Sequence, residues 1–447
     1  MDFRWNSPLA QIIAVGFICF CCPGMFNAIN SINAGGQIDS KVGQNANVAL
    51  YTCFAIFGVL GGAIHNKLGP KWTILIGGST YVLYIGSFLA FNHTKNAAFT
   101  ITAGGILGVG AGMLWTAQGA IMMAYPREND KGKFISIFWA IFNSGAVVGS
   151  IIAFIINKDI VEPRNLEDPT YIAFMVIMAI GALITLSLAP PSTVTHDNGD
   201  HIQIQKFPSW SGELVAVLKL FLDWRMIVLI PMFMSSNWFY PYQNSTVNGF
   251  YFSLRSQSFN SIFYWLAQIG GSWAIATILD HDGVNRRTRG LWGLGIITIG
   301  FVATWVGGIF FQKGYTMASA KPSADFIRDG GAGYAGPIIL YIFYGLNDAA
   351  WQTYCYWLMG ALSNDVTVLS RYAGFYKGIQ SAGAAIAWRI NALGTVPFMT
   401  ELIICFAMLV ASIPGALFLA LRLKDHSDDE VEEKGEYEEK DGGRVEA

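Results

Sequence analysis

The chain reads as twelve apolar spans in series, joined by short polar connectors whose Lys and Arg residues gather in alternate connectors. A helix of about 20 mostly apolar residues crosses the hydrocarbon of a bilayer. The stretches 9–32, 46–64, 70–91, 97–125, 133–157 and 170–190, then 224–248, 257–279, 290–312, 333–361, 372–394 and 398–421, are of that order. Backbone polar groups in lipid must be satisfied within the chain, so such spans are either helices or strands of a closed barrel. A barrel strand alternates apolar and polar residues, whereas 172–189 is apolar around the whole helical circumference. The expected fold is therefore all-α, a polytopic membrane bundle. With 53% apolar and only 13% charged residues, the chain departs from ordinary soluble domains, and most soluble enzymes are excluded.

Charge placement suggests an orientation. If the amino terminus is cytoplasmic, the connectors on that side carry Lys67 and Lys71, then Arg127, Lys131 and Lys133, Lys206 and Lys219, Arg286, Arg287 and Arg289, and Arg371. The opposite connectors carry fewer, among them Lys41, Lys95, Arg255, Lys321 and Arg328. The positive-inside bias then puts both termini and the break 191–223 in the cytoplasm. That break separates an amino-terminal six-helix half, 1–190, from a carboxy-terminal half, 224–422, and contains an interfacial helix around Trp210–Leu222. The first span's length, its internal Asn residues and the lack of a small-residue cleavage pattern argue against a removed secretory signal. Residues 423–447 form an acidic tail, read as solvated and disordered. No basic patch suggests nucleic acid. The six Cys residues lie in or near apolar spans, as small buried side chains rather than a disulfide or zinc framework. Asn92-His-Thr94 and Asn244-Ser-Thr246 have the form of glycosylation acceptors, with chance occurrence the competing reading.

Two related motifs mark the halves. Gly62-Ala-Ile-His-Asn66-Lys67-Leu-Gly69-Pro-Lys71 closes the second span, and Ala276-Thr-Ile-Leu-Asp280-His-Asp-Gly283, followed by Asn285-Arg286-Arg287, closes the eighth. Each supplies a tight turn with polar groups placed to bond nearby helix ends. Gly62, Asn66, Lys67, Gly69, Lys71, Asp280, Gly283, Arg286 and Arg287 are gating candidates, a plain basic loop being the alternative. In the fourth span Gly104, Gly108 and Gly112 permit close helix crossing, and Trp115-Thr-Ala-Gln118-Gly119 follows.

The paired turns resemble the Gly-x-x-x-Asp-Arg-x-Gly-basic pattern of the major facilitator superfamily, with Asn66 at the first acidic position. The fourth-span segment is similar to that superfamily's Arg-x-x-Gln-Gly, with Trp115 at the Arg position. Lys67-Leu-Gly-Pro-Lys-Trp72, Leu114–Gly119, Tyr125-Pro with Lys131-Gly132, Phe138-Trp139, Asn237–Tyr240, Asn248-Gly249, Asp348 with Trp351-Gln352, and Tyr356-Trp357 add a further likeness. Together they resemble the fungal Unc-93-like branch of that superfamily. The resemblance covers roughly 8–422 and implies a twelve-helix transporter-like body. Some relatives are linked to potassium-channel regulation or receptor trafficking, so it leaves transport open.

Asp348, midway along the tenth span beside Asn347 and Gln352, is the leading polar candidate, because a carboxylate in hydrocarbon is costly and marks a cavity, ion path or paired site. Arg389 is its expected distant partner, with outward snorkelling as the other reading. Gln118, Asn27, Asn30, Asn143, Asn237 and Tyr240 are candidates for solute contact or interhelical bonding, while Lys377 and Glu401 read as interface groups near the ends of their spans. The preferred function is alternating-access passage of a small neutral or zwitterionic solute, with a proton or cation as coupling ion. The alternative is a non-transporting regulatory or trafficking subunit of another membrane protein. Partners are then lipid, an unknown solute and, in the second case, a membrane protein. No nucleophile, metal cluster or nucleotide loop suggests an enzyme, and no cofactor or metal is called for.

Overall fold

The computed structural model describes residues 4–37, 40–127, 131–159, 165–195, 210–363 and 365–424. The acidic tail beyond 424 and linker positions 196–209 lie outside the described residues. Twelve crossings follow in order: α1 (Pro8–Asn30), then Ser40–Thr94, which Gly69 divides into α2 (40–68) and α3 (70–94). After them come α4 (Ala97–Ala124), α5 (Lys131–Asn157), α6 (Asp168–Ile184) and α7, which begins at Trp224–Ser235. The rest are α8 (Leu254–Leu279), α9 (Arg286–Gln312), α10 (Ala332–Gly360), α11 (Val366–Leu393) and α12 (Phe398–Ala420). Among the described residues, strand-like pairing is limited to isolated bridges such as Phe252–Ala324.

Polar caps set where several spans begin. Asn96 accepts from Phe99 N at 3.3 Å, Asn285 from Thr288 N at 2.8 Å, and Asp365 from Thr367 and Val368 N at 2.7 and 3.1 Å. Each satisfies amides that have no partner within the first turn. Two spans that look continuous in sequence are interrupted. In α1 the hydrogen-bond ladder widens to π geometry over Phe20–Gly24, where Pro23 cannot donate, and α7 leaves helical order after Ser235 before resuming as a π-helix over Tyr242–Gly249. These are the opening helices of the first six spans and of the last six, and both interruptions border the interior cavity.

The two groups of spans meet along α2 with α11 and α5 with α8. On the α2–α11 seam a Cβ built on Gly58 would come 2.9 Å from the amide nitrogen of Gly378, so backbones rather than side chains touch there. Within the first group, the α4 stripe lies on α2: a Cβ on Gly104 would reach 2.4 Å from the Ala46 carbonyl oxygen and one on Gly108 2.1 Å from that of Leu50. Between the halves, the helix Trp210–Lys219 and the turn Leu220–Leu222 expose Leu214, Val215, Leu218 and Leu222, an apolar face suited to a membrane surface.

Candidate functional site

A cavity of about 50 Å³ lies between the two groups of spans. From the first group come Phe26 and Asn27 on α1, Tyr51 and Phe54 on α2, Tyr81 on α3, Trp115 on α4, and Trp139 and Phe142 on α5. From the second come Asn237 and Tyr240 on the irregular turn of α7, Gln352 on α10, and Lys377 and Gln380 on α11. Asn237 and Tyr240 lie between the end of the regular α7 helix at Ser235 and the π-helix that starts at Tyr242, and both line the cavity.

A hydrogen-bonded chain runs across the second group. Lys377 Nζ donates to Gln380 Oε1 at 2.8 Å, Gln380 Nε2 donates to Gln352 Oε1 at 3.2 Å and Ser236 Oγ at 2.8 Å, and Gln352 Nε2 donates to Asp348 Oδ1 at 2.7 Å. Asp348 stands just behind the cavity wall. Its other oxygen accepts from Tyr240 at 2.8 Å, Gln268 at 2.7 Å and Tyr264 at 3.3 Å. Four donors therefore hold one buried carboxylate, which is how a charge is kept out of water at tolerable cost. Lys377, 3% exposed, lies over the faces of Trp115, Tyr376 and Tyr356 at 4.7, 4.9 and 5.3 Å.

Several sequence expectations change. Arg389 is not the partner of Asp348; it is exposed, and uncharged donors surround the carboxylate instead. Lys377 is not an interface anchor but the cavity's cation. Trp115, at the position where the superfamily pattern has Arg, is the aromatic platform beneath that cation and donates to Tyr81 at 3.2 Å. Gln118 is fully buried away from the cavity and donates to Met122 Sδ at 3.3 Å. Asn30 accepts from Asn47 at 2.7 Å, Asn347 donates to Thr304 at 2.8 Å, and Asn143 is wholly buried outside the wall. None of these four lines the site; Asn30 and Asn347 bond neighbouring helices, Gln118 bonds within its own helix, and the Asn143 amide has no hydrogen-bond partner. Asn27, Asn237, Tyr240 and Gln352 do border it.

The gating residues fall at the interface on the side of the amino terminus. Gly69 and Gly283 both take φ +76, the left-handed turn that favours glycine. Asn66 Oδ1 accepts from Ser370 of α11 at 3.2 Å, and Asp280 Oδ2 accepts from the backbone of Lys133, at the start of α5, at 2.7 Å. Each motif's acidic or amide position thus bonds the opposite group. Gly62 crosses α11 near Ser370, Arg286 donates to the Ala361 carbonyl at 3.1 Å, Lys67 and Lys71 are half-buried, and Arg287 is exposed.

The far end is closed too. Gln44 donates to Asn391 at 2.8 Å and Asn248 to the Ser31 carbonyl at 2.9 Å, both across the interface. Beyond them opens a vestibule of about 340 Å³ lined by Lys41, Lys321, Asn391 and Glu401. Glu401 accepts from Asn391 at 3.0 Å and Thr246 at 3.2 Å, so it belongs to this closure rather than to the membrane interface. The sequons are engaged: Asn92 Nδ2 donates to Asp168 at 2.9 Å and to the Leu166 carbonyl at 3.2 Å, and Asn244 is buried against Tyr341.

Outside the spans, burial pushes the Asp325 carboxyl up, but hydrogen bonds from Arg255 and Ser253 and from the Arg328 and Ile327 amides outweigh it and hold the group well below the usual carboxylate range. The bonds from Arg255 measure 2.5 and 2.6 Å.

Residues 34–414 match the family described as ion channel regulatory protein UNC-93. The chain is 45% identical over 433 residues to UNC93-like protein 1 of Arabidopsis thaliana, covering 97% of this chain and 94% of that protein. It is 42% identical over 419 residues to an UNC93-like protein of Schizosaccharomyces pombe, covering 92% and 82%. Among solved structures, the transporter FucP in its outward conformation superposes with a TM-score of 0.62 at 14% identity, covering 93% of this chain and 99% of that one. The proton:xylose symporter XylE gives 0.63 at 10% identity, covering 95% and 98%. The chain belongs to the UNC-93 family and is an integral, multi-pass membrane protein with the major facilitator fold.

Proposed function

We propose that this UNC-93 family member is a transporter that passes a small neutral or zwitterionic solute through the central cavity by rocking its first six spans against its last six. The observation that carries the reading is a polar cavity at their interface, closed at one end by the Asn66 and Asp280 bonds and at the other by Gln44–Asn391. Opening either set while keeping the other exposes the same residues to one side at a time, the geometry alternating access needs. Asp348, reached from the cavity through Gln352 and Tyr240, is the proposed site of reversible protonation, and the Gln380–Gln352 chain links it to Lys377. The charge bias of the connectors supports a cytoplasmic side for both termini and the linker.

Purified protein in liposomes, screened for solute flux with and without a proton gradient, tests this. Gradient-dependent uptake that Asp348→Asn uncouples supports it. A second reading, a non-transporting regulatory subunit, is favoured by the description of the matched family. It takes over if no solute moves while a channel protein co-purifies through intact helices.

A further inference from the structure

Within the proposed transport function, which this inference takes as its basis, the cavity has a chemical selectivity of its own. Its lining carries a single Lys or Arg, Lys377, and no carboxylate. No carboxylate of a described residue pairs with Lys377 within 4.0 Å. The nearest buried acid along the hydrogen-bonded chain, Asp348, is occupied by Tyr240, Tyr264, Gln268 and Gln352. Of the three ammonium protons, Gln380 Oε1 accounts for one at 2.8 Å. Its other contacts are the faces of Trp115, Tyr376 and Tyr356, which accept no conventional hydrogen bond. The amine therefore keeps donor capacity for an anionic group in the cavity.

A second group points the same way. Asn237, on the unwound turn of α7, is 9% exposed and lines the cavity, and its side-chain oxygen has no hydrogen-bond partner. A buried acceptor left open is costly unless a ligand fills it. The cavity thus presents an amine on α11 and an open acceptor on α7, and the first six spans contribute aromatic rings from Phe26, Tyr51 and Phe142.

We propose that Lys377 anchors the carboxylate of the solute while Asn237 accepts a hydrogen bond from its ammonium group, so that the substrate class is small zwitterionic amino monocarboxylic acids. The aromatic wall then receives the side chain, and Trp115, Tyr356 and Tyr376 hold the ammonium in place between transport events.

The full chain, in detergent and in liposomes, is tested with matched pairs: L-alanine against L-alaninamide and L-serine against L-serinamide, with D-glucose as an uncharged control. The acids should raise the thermal midpoint and bind about tenfold or more tightly than their amides, because a charge-assisted bond is lost in the amide. Lys377→Met should erase that preference, and Lys377→Arg should retain part of it. If Lys377→Met does not assemble, the wild-type pairs and Lys377→Arg still decide. Equal response to acid and amide, or a preference that survives in Lys377→Met, overturns the assignment. Glucose uptake without acid selectivity overturns it while leaving the transporter reading intact. Acid-selective stabilisation with no flux of any solute supports the site and removes transport instead.

Discussion

From the first six spans the cavity receives mainly rings, Phe26, Tyr51, Tyr81, Trp115, Trp139 and Phe142, with Asn27 as its amide; from the last six it receives Asn237, Tyr240, Gln352, Lys377 and Gln380. The contrast extends beyond the wall. Every buried Asp, Glu, Lys and Arg among the described residues, namely Arg286, Asp325, Asp348, Lys377 and Glu401, comes from the second group. The first group instead packs closely, with the glycine face of α4 pressed on the backbone of α2. A cavity built from one rigid aromatic wall and one hydrogen-bonded polar wall keeps its shape on one side and its chemistry on the other. It also predicts where substitutions will hurt: in the second group by breaking a network, in the first by forcing backbones apart.

The most damaging change should be Asp348→Leu. Four donors would be left buried without their acceptor, at about 1–3 kcal/mol for each that finds no other, so assembled protein should nearly vanish. Asp348→Asn preserves shape and should assemble, with loss of gradient-dependent flux. Assembled yield by gel filtration and flux in liposomes read the two. Full yield from Asp348→Leu would break the contrast between the walls, because it would mean the network is not what holds the second group together.

Next in size is the pair outside the bilayer. Asp325 is fully buried and Arg255 nearly so, and removing one partner of such a pair costs about 3–5 kcal/mol. Asp325→Ala should therefore lower the thermal midpoint strongly. In the wild type the sign of the pH effect follows from the depressed carboxyl. Its stabilisation is fully present above the ordinary carboxylate value of about 3.9 and is lost only as pH falls through the lower folded value. The midpoint should be flat with respect to this group between about pH 5 and 8. A loss centred near neutral pH would assign that role to another group.

Overpacking the first group should cost less. Gly108→Leu places a side chain where a Cβ alone would sit 2.1 Å from the Leu50 carbonyl oxygen; helices can separate slightly, so about 1–3 kcal/mol is expected. Thermal stability should fall, while any transport by surviving protein keeps its solute preference. A changed preference would show that the aromatic wall is not independent of α4 packing.

The sequence showed the crossings, the linker helix and the paired turns because each rests on local chemistry: apolar length, an amphipathic face, and a glycine at a left-handed position. Asp348, Gln352, Asn237 and Tyr240 were also visible, since polar groups in hydrocarbon need a reason. Lys377 was misplaced for a physical cause. Only its height in the span is legible in a sequence, and a lysine near a span's end ordinarily snorkels; the aromatic faces that hold it inward belong to α4, α10 and α11, which only the fold brings together. Arg389 failed in the opposite sense, because nearness along the helix axis says nothing about which way around the helix a side chain points. The π segments of α1 and α7 had partial signals in Pro23 and Pro241, but nothing local specifies that Asn237 will line the cavity.

Gln118 should have the smallest effect, and it isolates the difference between a buried polar group and a site residue. Its position beside the glycine face of α4 suggests solute contact, yet it does not border the cavity, and its amide oxygen has no hydrogen-bond partner. Gln118→Leu removes that open acceptor along with a 3.3 Å contact to the Met122 sulfur, a weak acceptor. Losing an unsatisfied group offsets losing a weak bond, so the stability change should stay within about 1 kcal/mol of zero. Flux and solute preference should match the wild type. Thermal midpoint beside flux, each normalised to assembled protein, is the measurement. A selective change in solute preference from a well-assembled Gln118→Leu protein would add Gln118 to Asn27 as polar site groups from the first six spans and end the division of labour drawn between the two groups.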